Sequence, residues 1–291
     1  MRKSAYVVGA VLIALLAAGC AGQDAAADRA APADPAGNSA GGSAVDTDPT
    51  ALIGMWSVTA AEGEEKGSVL RIAPEGMSLW RDCGTLMGNW RADTAGLFVA
   101  DMYGSTGCAP ETPMPGWLRA AVAYQIEGDE RVLLDDQGKP VARLLPGGKP
   151  APNPNVAPEE AQPPVVTDEA RRSLARAAAL PAGLSAAERG ALVGRWVPEG
   201  SRGLGAKRAY VELRADGDWK GSDGCNGLGG RWGAGQDGSL LATSGVSTLI
   251  ACDNAPIGEW LSAARRAGLD GETLVLVDAE GKELGRLRPD R

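Results

Sequence analysis

The segment ALIGMWSV beginning at Ala51 returns as ALVGRWVP beginning at Ala191, and the correspondence runs on in order to the end of the chain. VLRIAPEGMSLW from Val69 answers YVELRADGDW from Tyr210. RDCGTLMGNW answers SDGCNGLGGRW, setting Cys83, Gly88 and Trp90 against Cys225, Gly230 and Trp232. GLFVAD at Gly96 answers GSLLAT at Gly238, and a second cysteine follows in each, Cys108 and Cys252. PGWLRAA at Pro115 then answers GEWLSAA at Gly258, and VLLDDQGK at Val132 answers VLVDAEGK at Val275. The 8 tryptophans fall into pairs, Trp80 with Trp219 among them, and the cysteines after Cys20 fall into two pairs. A long period that repeats tryptophans, cysteines and turn glycines in one order marks a tandem duplication, so each copy must build one fold around the same anchors.

Periodicity gives the elements of that fold. Val211 and Leu213 alternate with Glu212 and Arg214, and Leu70 and Ile72 do the same in the first copy, the pattern of half-buried strands. Ile257, Trp260, Leu261 and Ala264 share one helical face, as do Met114, Trp117, Leu118 and Ala121. Leu274 and Leu276 run into a turn at residues 278–281 and Leu284 follows, which predicts a terminal hairpin. Each copy is therefore expected to be α+β and mainly antiparallel β, a curved sheet closed over one helix. Between the copies, Thr167 can cap a helix running to about Leu180, where Pro181 stops it. Ser185 and Glu188 have the spacing of a capping box at the entry to the second copy.

The chain begins with two cations, Arg2 and Lys3, and an apolar run that ends in small residues before Cys20, the form of a secretory signal over residues 1–19. A membrane-spanning helix needs about 20 apolar residues, and this run gives way to a polar stretch too soon. LAAGC at Leu16 resembles the lipobox of bacterial lipoproteins, which implies cleavage before Cys20 and a lipid on that cysteine; the alternative is an ordinary cleaved signal. Residues 20–49, rich in Ala, Gly, Pro, Ser and Asp, have too few apolar side chains to fold and read as a tether. The remaining divisions are residues 50–147 for the first copy, a proline-rich linker at 148–166 expected to be stiff and extended, and 167–291 for a helix plus the second copy.

Composition removes several functions. The net charge of -8 and unclustered cations argue against nucleic acid. The count of histidine is 0, which removes Ser-His and Cys-His pairs and the commonest metal ligand. GSDGCNGLGGRW at residues 221–232 lacks the glycine spacing and the following helix of a phosphate loop. Only the position of Gly88 and Gly230 is glycine in both copies, which fits a strand-to-strand turn with one special backbone position.

SDGCNGLGGRW, then STLIAC and a tryptophan-containing helix, with LVGRW at the opening, resembles the META domain family over residues 192–287. That family includes small heat-inducible envelope lipoproteins and has no established catalytic residues, so the resemblance implies a fold and a location and no active site. The first copy departs from it at Gly84 and at Gly107-Cys108 and looks like a diverged META-like copy.

Export places the four remaining thiols in an oxidising compartment. Their matched positions favour Cys83 with Cys108 and Cys225 with Cys252 over the other connectivities, four free buried thiols being the alternative. Asp216, Asp218 and Asp223 begin like a calcium loop, but Gly227 stands where the bidentate Glu is required, so they read as solvated turn carboxylates. Glu62, Glu64 and Glu65 read as an exposed acidic loop. The expectation is a surface-anchored envelope lipoprotein, non-catalytic, that binds an envelope protein or ligand or serves in envelope stress, with neither cofactor nor metal and with the membrane as partner through Cys20. The alternatives are an inhibitor of a secreted lytic enzyme or protease, and a carboxylate-dependent hydrolase.

Overall fold

Alternating apolar and polar residues from Gly54 onward produce an antiparallel meander in which every second side chain enters one core. The strands are β1 (Gly54–Thr59), β2 (Val69–Ala73), β3 (Gly76–Arg81), β4 (Gly84–Ala92) and β5 (Phe98–Thr106), then, after a short helix α1 (Gly116–Ala120), β6 (Ala123–Glu127), β7 (Glu130–Leu134) and β8 (Pro140–Pro146). They form one sheet in the order β5-β4-β3-β2-β1-β8-β7-β6. The two ends of the sheet approach each other through a bridge between Leu97 and Ala123, so the sheet curls into a half-barrel. Trp117 and Leu118 of α1 are buried in its core with Trp56, Trp90 and Phe98. The computed structural model describes residues 47–109, 112–200, 208–248, 250 and 253–290.

After α2 (Asp168–Ser173), β9 (Ser185–Ala186) and α3 (Arg189–Leu192), the same topology recurs. The strands β10 (Gly194–Pro198), β11 (Tyr210–Leu213), β12 (Asp218–Ser222), β13 (Gly227–Ala234), β14 (Leu240–Ala242), β15 (Arg266–Asp270), β16 (Thr273–Val277) and β17 (Glu283–Pro289) surround a helix α4 (Ile257–Ala263). Their order is β14-β13-β12-β11-β10-β17-β16-β15, with β9 added at the end. The terminal hairpin is β16 paired with β17. Closure is again by one bridge, Ser239 to Arg266.

Register aligns the two sheets residue by residue. Trp56 lies opposite Leu70 and Pro146, and Trp196 opposite Val211 and Pro289. Each of these indoles donates to a carbonyl four residues earlier, Leu52 and Leu192, at 2.8 Å. Trp90 and Trp232 likewise donate to matching carbonyls, Ala73 at 2.7 Å and Arg214 at 3.0 Å. A buried indole N–H needs such a partner, so these bonds pin the strands together.

The pairing of Trp80 with Trp219 does not hold. Leu213 lies opposite Trp219, whereas its counterpart Ile72 lies opposite Met77. Trp219 therefore occupies the core position of Met77, and Trp80 points to the opposite face. There it packs with Met55, Val69 and Val156. Ala73 pairs with Gly76 across the β2–β3 turn whereas Arg214 bonds Asp218 across a turn one residue longer, and Trp80 lies three residues past Met77, an odd offset that puts its side chain on the other face. The consequence is that the proline-rich segment is no free spacer. It lies over Trp80, with a 3-10 turn at Pro158–Ala161 and with Arg71 held by the Gln162 carbonyl at 3.3 Å and Glu160 at 3.3 Å. Prolines cover an apolar face at low entropic cost because their backbone is already restricted.

Two further expectations change. Thr167 does cap α2, its Oγ1 accepting from Ala170 N–H at 3.1 Å, but the helix ends at Ser173. Only Ala170 and Leu174 find apolar partners, and these belong to the first core. The chain then crosses to the second sheet, where Leu180 and Leu184 pack against Gly238 and Gly268. The capping box at Ser185 does not form, because Ser185 and Ala186 pair with Leu269 and Gly268 as an added edge strand. Glu188 takes the cap position of α3 without a side-chain bond.

The chain from Ala44 to Arg291 forms one unit, and the halves meet through β4 and β5 on one side and β13 and β14 on the other. Equivalent residues touch: Thr243 Oγ1 donates to Asp101 Oδ2 at 2.9 Å, and by register Thr243 is the counterpart of Asp101. Asn89 Nδ2 donates to the Ser244 carbonyl at 2.7 Å, and Asp218 bonds both Arg119 at 3.0 Å and Arg231 at 2.8 Å. Arg91 and Arg265 both donate to the Ser262 carbonyl. Burial, then the neighbouring Arg265, pushes the Arg91 guanidinium down to about 10.

Candidate functional site

The hairpin joining β12 to β13 is organised by two buried side chains, Asp223 and Asn226. Asp223 Oδ1 accepts from the N–H groups of Cys225 and Asn226 at 2.7 and 2.6 Å, an Asx turn that reverses the chain, with Gly224 at φ 109. Its Oδ2 accepts from Asn226 Nδ2 and Asn254 Nδ2, both at 2.9 Å. Asn226 then reaches outward: its Oδ1 accepts from Thr248 Oγ1 and Ile250 N–H, both at 2.7 Å, and its Nδ2 donates to the Ile250 carbonyl at 3.1 Å. The Asp223 carboxyl is pushed up by burial, but these hydrogen bonds outweigh burial and hold it below the usual aspartate range. The G-C-N signature is thus a clamp that ties the hairpin to the segment carrying the second cysteine.

The glycines divide by role. Gly224, and Gly84 at φ 144, serve the turns. Gly88 and Gly230, shared by both halves, sit inside β4 and β13 rather than at a turn. A Cβ on Gly88 would lie 1.9 Å from the Asp101 carbonyl oxygen, and one on Gly230 2.1 Å from that of Thr243. Close approach of the neighbouring strand, not an unusual φ, requires glycine there.

Beside the clamp lies a cleft of about 510 Å³ between the start of β13, residues 244–248 with Ile250, and the first turn of α4. Trp219 and Leu228 form its apolar part, and Ser244, Ser247, Thr248 and Asn254 its polar part. Ser244 and Ser262 hydroxyls bond each other at 2.8 Å. Its carboxylates are Asp223, whose oxygens are occupied, and the exposed Glu259. Ile250, which lines the cleft, is 58% exposed, and Val246, between the lining residues Gly245 and Ser247, is 77% exposed.

The acidic residues singled out in the sequence have other duties. Glu64 is no exposed loop residue: its side chain is 2% accessible and it takes Arg81 at 2.8 and 2.7 Å, Ser68 Oγ at 2.7 Å and Trp117 Nε1 at 2.6 Å. It joins the loop after β1 to β3 and α1. Burial pushes its carboxyl up, but the bonds from Arg81, Trp117 and Ser68 hold it below the usual glutamate range. Asp216 and Asp218 form the β11–β12 turn, and Asp223 lies at the far end of β12; Asp218 is engaged by arginines and Asp223 is buried, so neither is a solvated turn carboxylate. Among the described residues no group of three His, Cys, Asp or Glu could hold a metal ion.

Cys83 and Cys108 form a disulfide that closes the β3–β4 turn onto the end of β5. Gly84 and Gly107 permit it, since a Cβ on either would strike the opposing chain at 2.2 or 2.8 Å. Cys225 is also disulfide-bonded. Cys252, Cys20 and the signal segment lie outside the described residues. Among the described residues no helix is long and apolar enough to cross a membrane.

Comparison with known proteins matches no curated protein and no solved structure. The META domain family model matches residues 191–291, the half that carries the clamp and the cleft.

Proposed function

We propose that the chain is a non-catalytic, surface-anchored lipoprotein of the bacterial cell envelope, built from two META-like domains and binding an envelope protein or ligand through the cleft of the second. The observation that carries the binding reading is the cleft itself, which adjoins the clamp of the matched half and has size and mixed lining suited to a ligand. The carboxylates that a hydrolase would need are bonded within the scaffold, Glu64 to Arg81 and Asp223 to Asn226. Support for a second META-like copy at residues 50–147 comes from the identical strand order and the matching indole bonds. The leader over residues 1–19, followed by Cys20, supports export and lipid attachment. A Cys225–Cys252 bridge belongs to the same proposal.

The test is cellular. Cys20→Ala should release the chain from membranes, and cross-linking on intact cells should capture a partner that is lost when the cleft is filled by Gly258→Leu. Retention of the Cys20→Ala chain, or turnover of a cell-wall or peptide substrate by purified protein, refutes the proposal. Peptide mapping without reductant should return Cys225 joined to Cys252.

A further inference from the structure

Resting on the reading that the second half binds, we infer that its cleft takes an extended peptide without acidic side chains, laid along β13 where β5 lies on β4. In the first sheet β5 pairs along the whole of β4, with Ala100 opposite Trp90, Gly104 opposite Met87 and Thr106 opposite Thr85. The second sheet begins in the same register, Ala242 opposite Trp232. Thr243 N–H then donates to the Arg231 carbonyl at 2.9 Å and Gly245 N–H to the Gly229 carbonyl at 2.8 Å. There the ladder ends, and among the described residues no other main chain pairs with this edge. Residues 244–248 instead leave the sheet, and Thr248 and Ile250 return to the Asn226 side chain.

These bonds also settle which way the strand faces. Main-chain groups alternate along an antiparallel strand, so if Arg231 and Gly229 face β14, Gly227 faces the same way. The N–H of Gly229 and the N–H and carbonyl of Gly227 thus stand where Met87 and Thr85 meet β5 in the first sheet. An open edge of this kind accepts a further strand by main-chain hydrogen bonds.

The walls narrow the choice of occupant. A Cβ on Gly227 would meet nothing within 4 Å, one on Gly245 only the Gly229 carbonyl at 3.4 Å, and one on Gly258 only Leu228, at 3.6 Å. That leaves room for the side chains of an incoming strand. No Lys or Arg lines the cleft, and its accessible carboxylate is Glu259, which disfavours an acidic peptide.

The test titrates the full chain with a capped hexapeptide copied from residues 102–107, MYGSTG, and follows amide exchange. Slowed exchange at Gly227 and Gly229 is expected, together with binding weaker by at least about tenfold, or about 1.4 kcal/mol, when the peptide's alternate amides are N-methylated. Gly258→Leu should abolish the effect. Equal binding of the N-methylated peptide, protection elsewhere only, or no protection with this peptide and with its Lys-for-Met analogue overturns the inference. If the peptides fail while Gly258→Leu still removes the cellular cross-link, the binding function stands and only the peptide is wrong.

Discussion

The first half carries its ladder to the end of β5, whereas the second leaves one corner open. Both have eight equivalent strands in one order, yet β5 runs from Phe98 to Thr106 and β14 stops at Ala242. The difference traces to what holds the segment after the strand. In the first half that segment stays in the ladder and ends in the Cys83–Cys108 bridge. In the second it is drawn onto Asn226, a side chain that the first half replaces with Gly84. A single asparagine with three bonds to one segment thus exchanges a sheet edge for a cleft. The first half has placed its polar investment elsewhere, in the Glu64–Arg81 pair under α1.

That contrast can be broken at its strongest point. Glu64→Ala leaves the Arg81 guanidinium buried without its carboxylate, and removing one partner of a buried pair costs about 4 kcal/mol. Urea unfolding of the variant against the parent measures it. The same pair makes the first half acid-sensitive. Because the folded Glu64 titrates below its unfolded value, its contribution is fully present above the unfolded pKa and is lost as pH falls through the folded one. Stability of the Glu64→Gln variant should fall less steeply on acidification.

What the halves share can be tested next. Gly88→Ala and Gly230→Ala should each cost about 3 kcal/mol, since the added methyl strikes a carbonyl of the adjacent strand that cannot yield without opening the ladder. Gly227→Ala, with open space around it, should change stability by less than about 0.5 kcal/mol. Equal tolerance of all three would mean that the neighbouring strand does not crowd the shared glycine, and tolerance of only one of Gly88→Ala and Gly230→Ala would mean that the two strands are not equivalent.

A smaller effect than those of Glu64 and the shared glycines lies between the halves. Asp101 Oδ1 is buried without a hydrogen-bond partner, and burial, against the bond from Thr243, pushes its carboxyl up. Stability from this group is full below the unfolded aspartate pKa and is lost as pH rises through the folded value. Asp101→Asn should therefore stabilise the chain by about 1 kcal/mol at neutral pH and by nothing under acid conditions. Thermal melts at the two pH values decide it.

Much of this was legible in the sequence, in unequal degrees. The strands, the helix under each sheet and the terminal hairpin follow from local periodicity, and Cys83 with Cys108 follows from matched spacing. Trp80 was misplaced because letters align by identity while strands align by register, and in register Trp80 lies three residues past the position of Trp219. Glu64 was misread because three carboxylates in a loop resemble solvent-facing residues until Arg81 and Trp117, distant in sequence, arrive beside them. The cleft had only one sequence signal, Asn226 against Gly84, and its meaning depends on where the segment 244–250 lies. The clamp could have been suspected from the Asp-x-x-Asn spacing, which suits an Asx turn.

The contact of Thr243 with Asp101 joins two residues of equal rank in their own sheets. Were two first halves to meet through this face, a buried aspartate would confront a buried aspartate, and like charges in that setting repel. Threonine on the other side turns the repulsion into a hydrogen bond. A one-residue difference therefore gives this surface a sense of self and other: each first half is matched to a second half, and pairing between two first halves is penalised at the very residue where the proper pair is bonded.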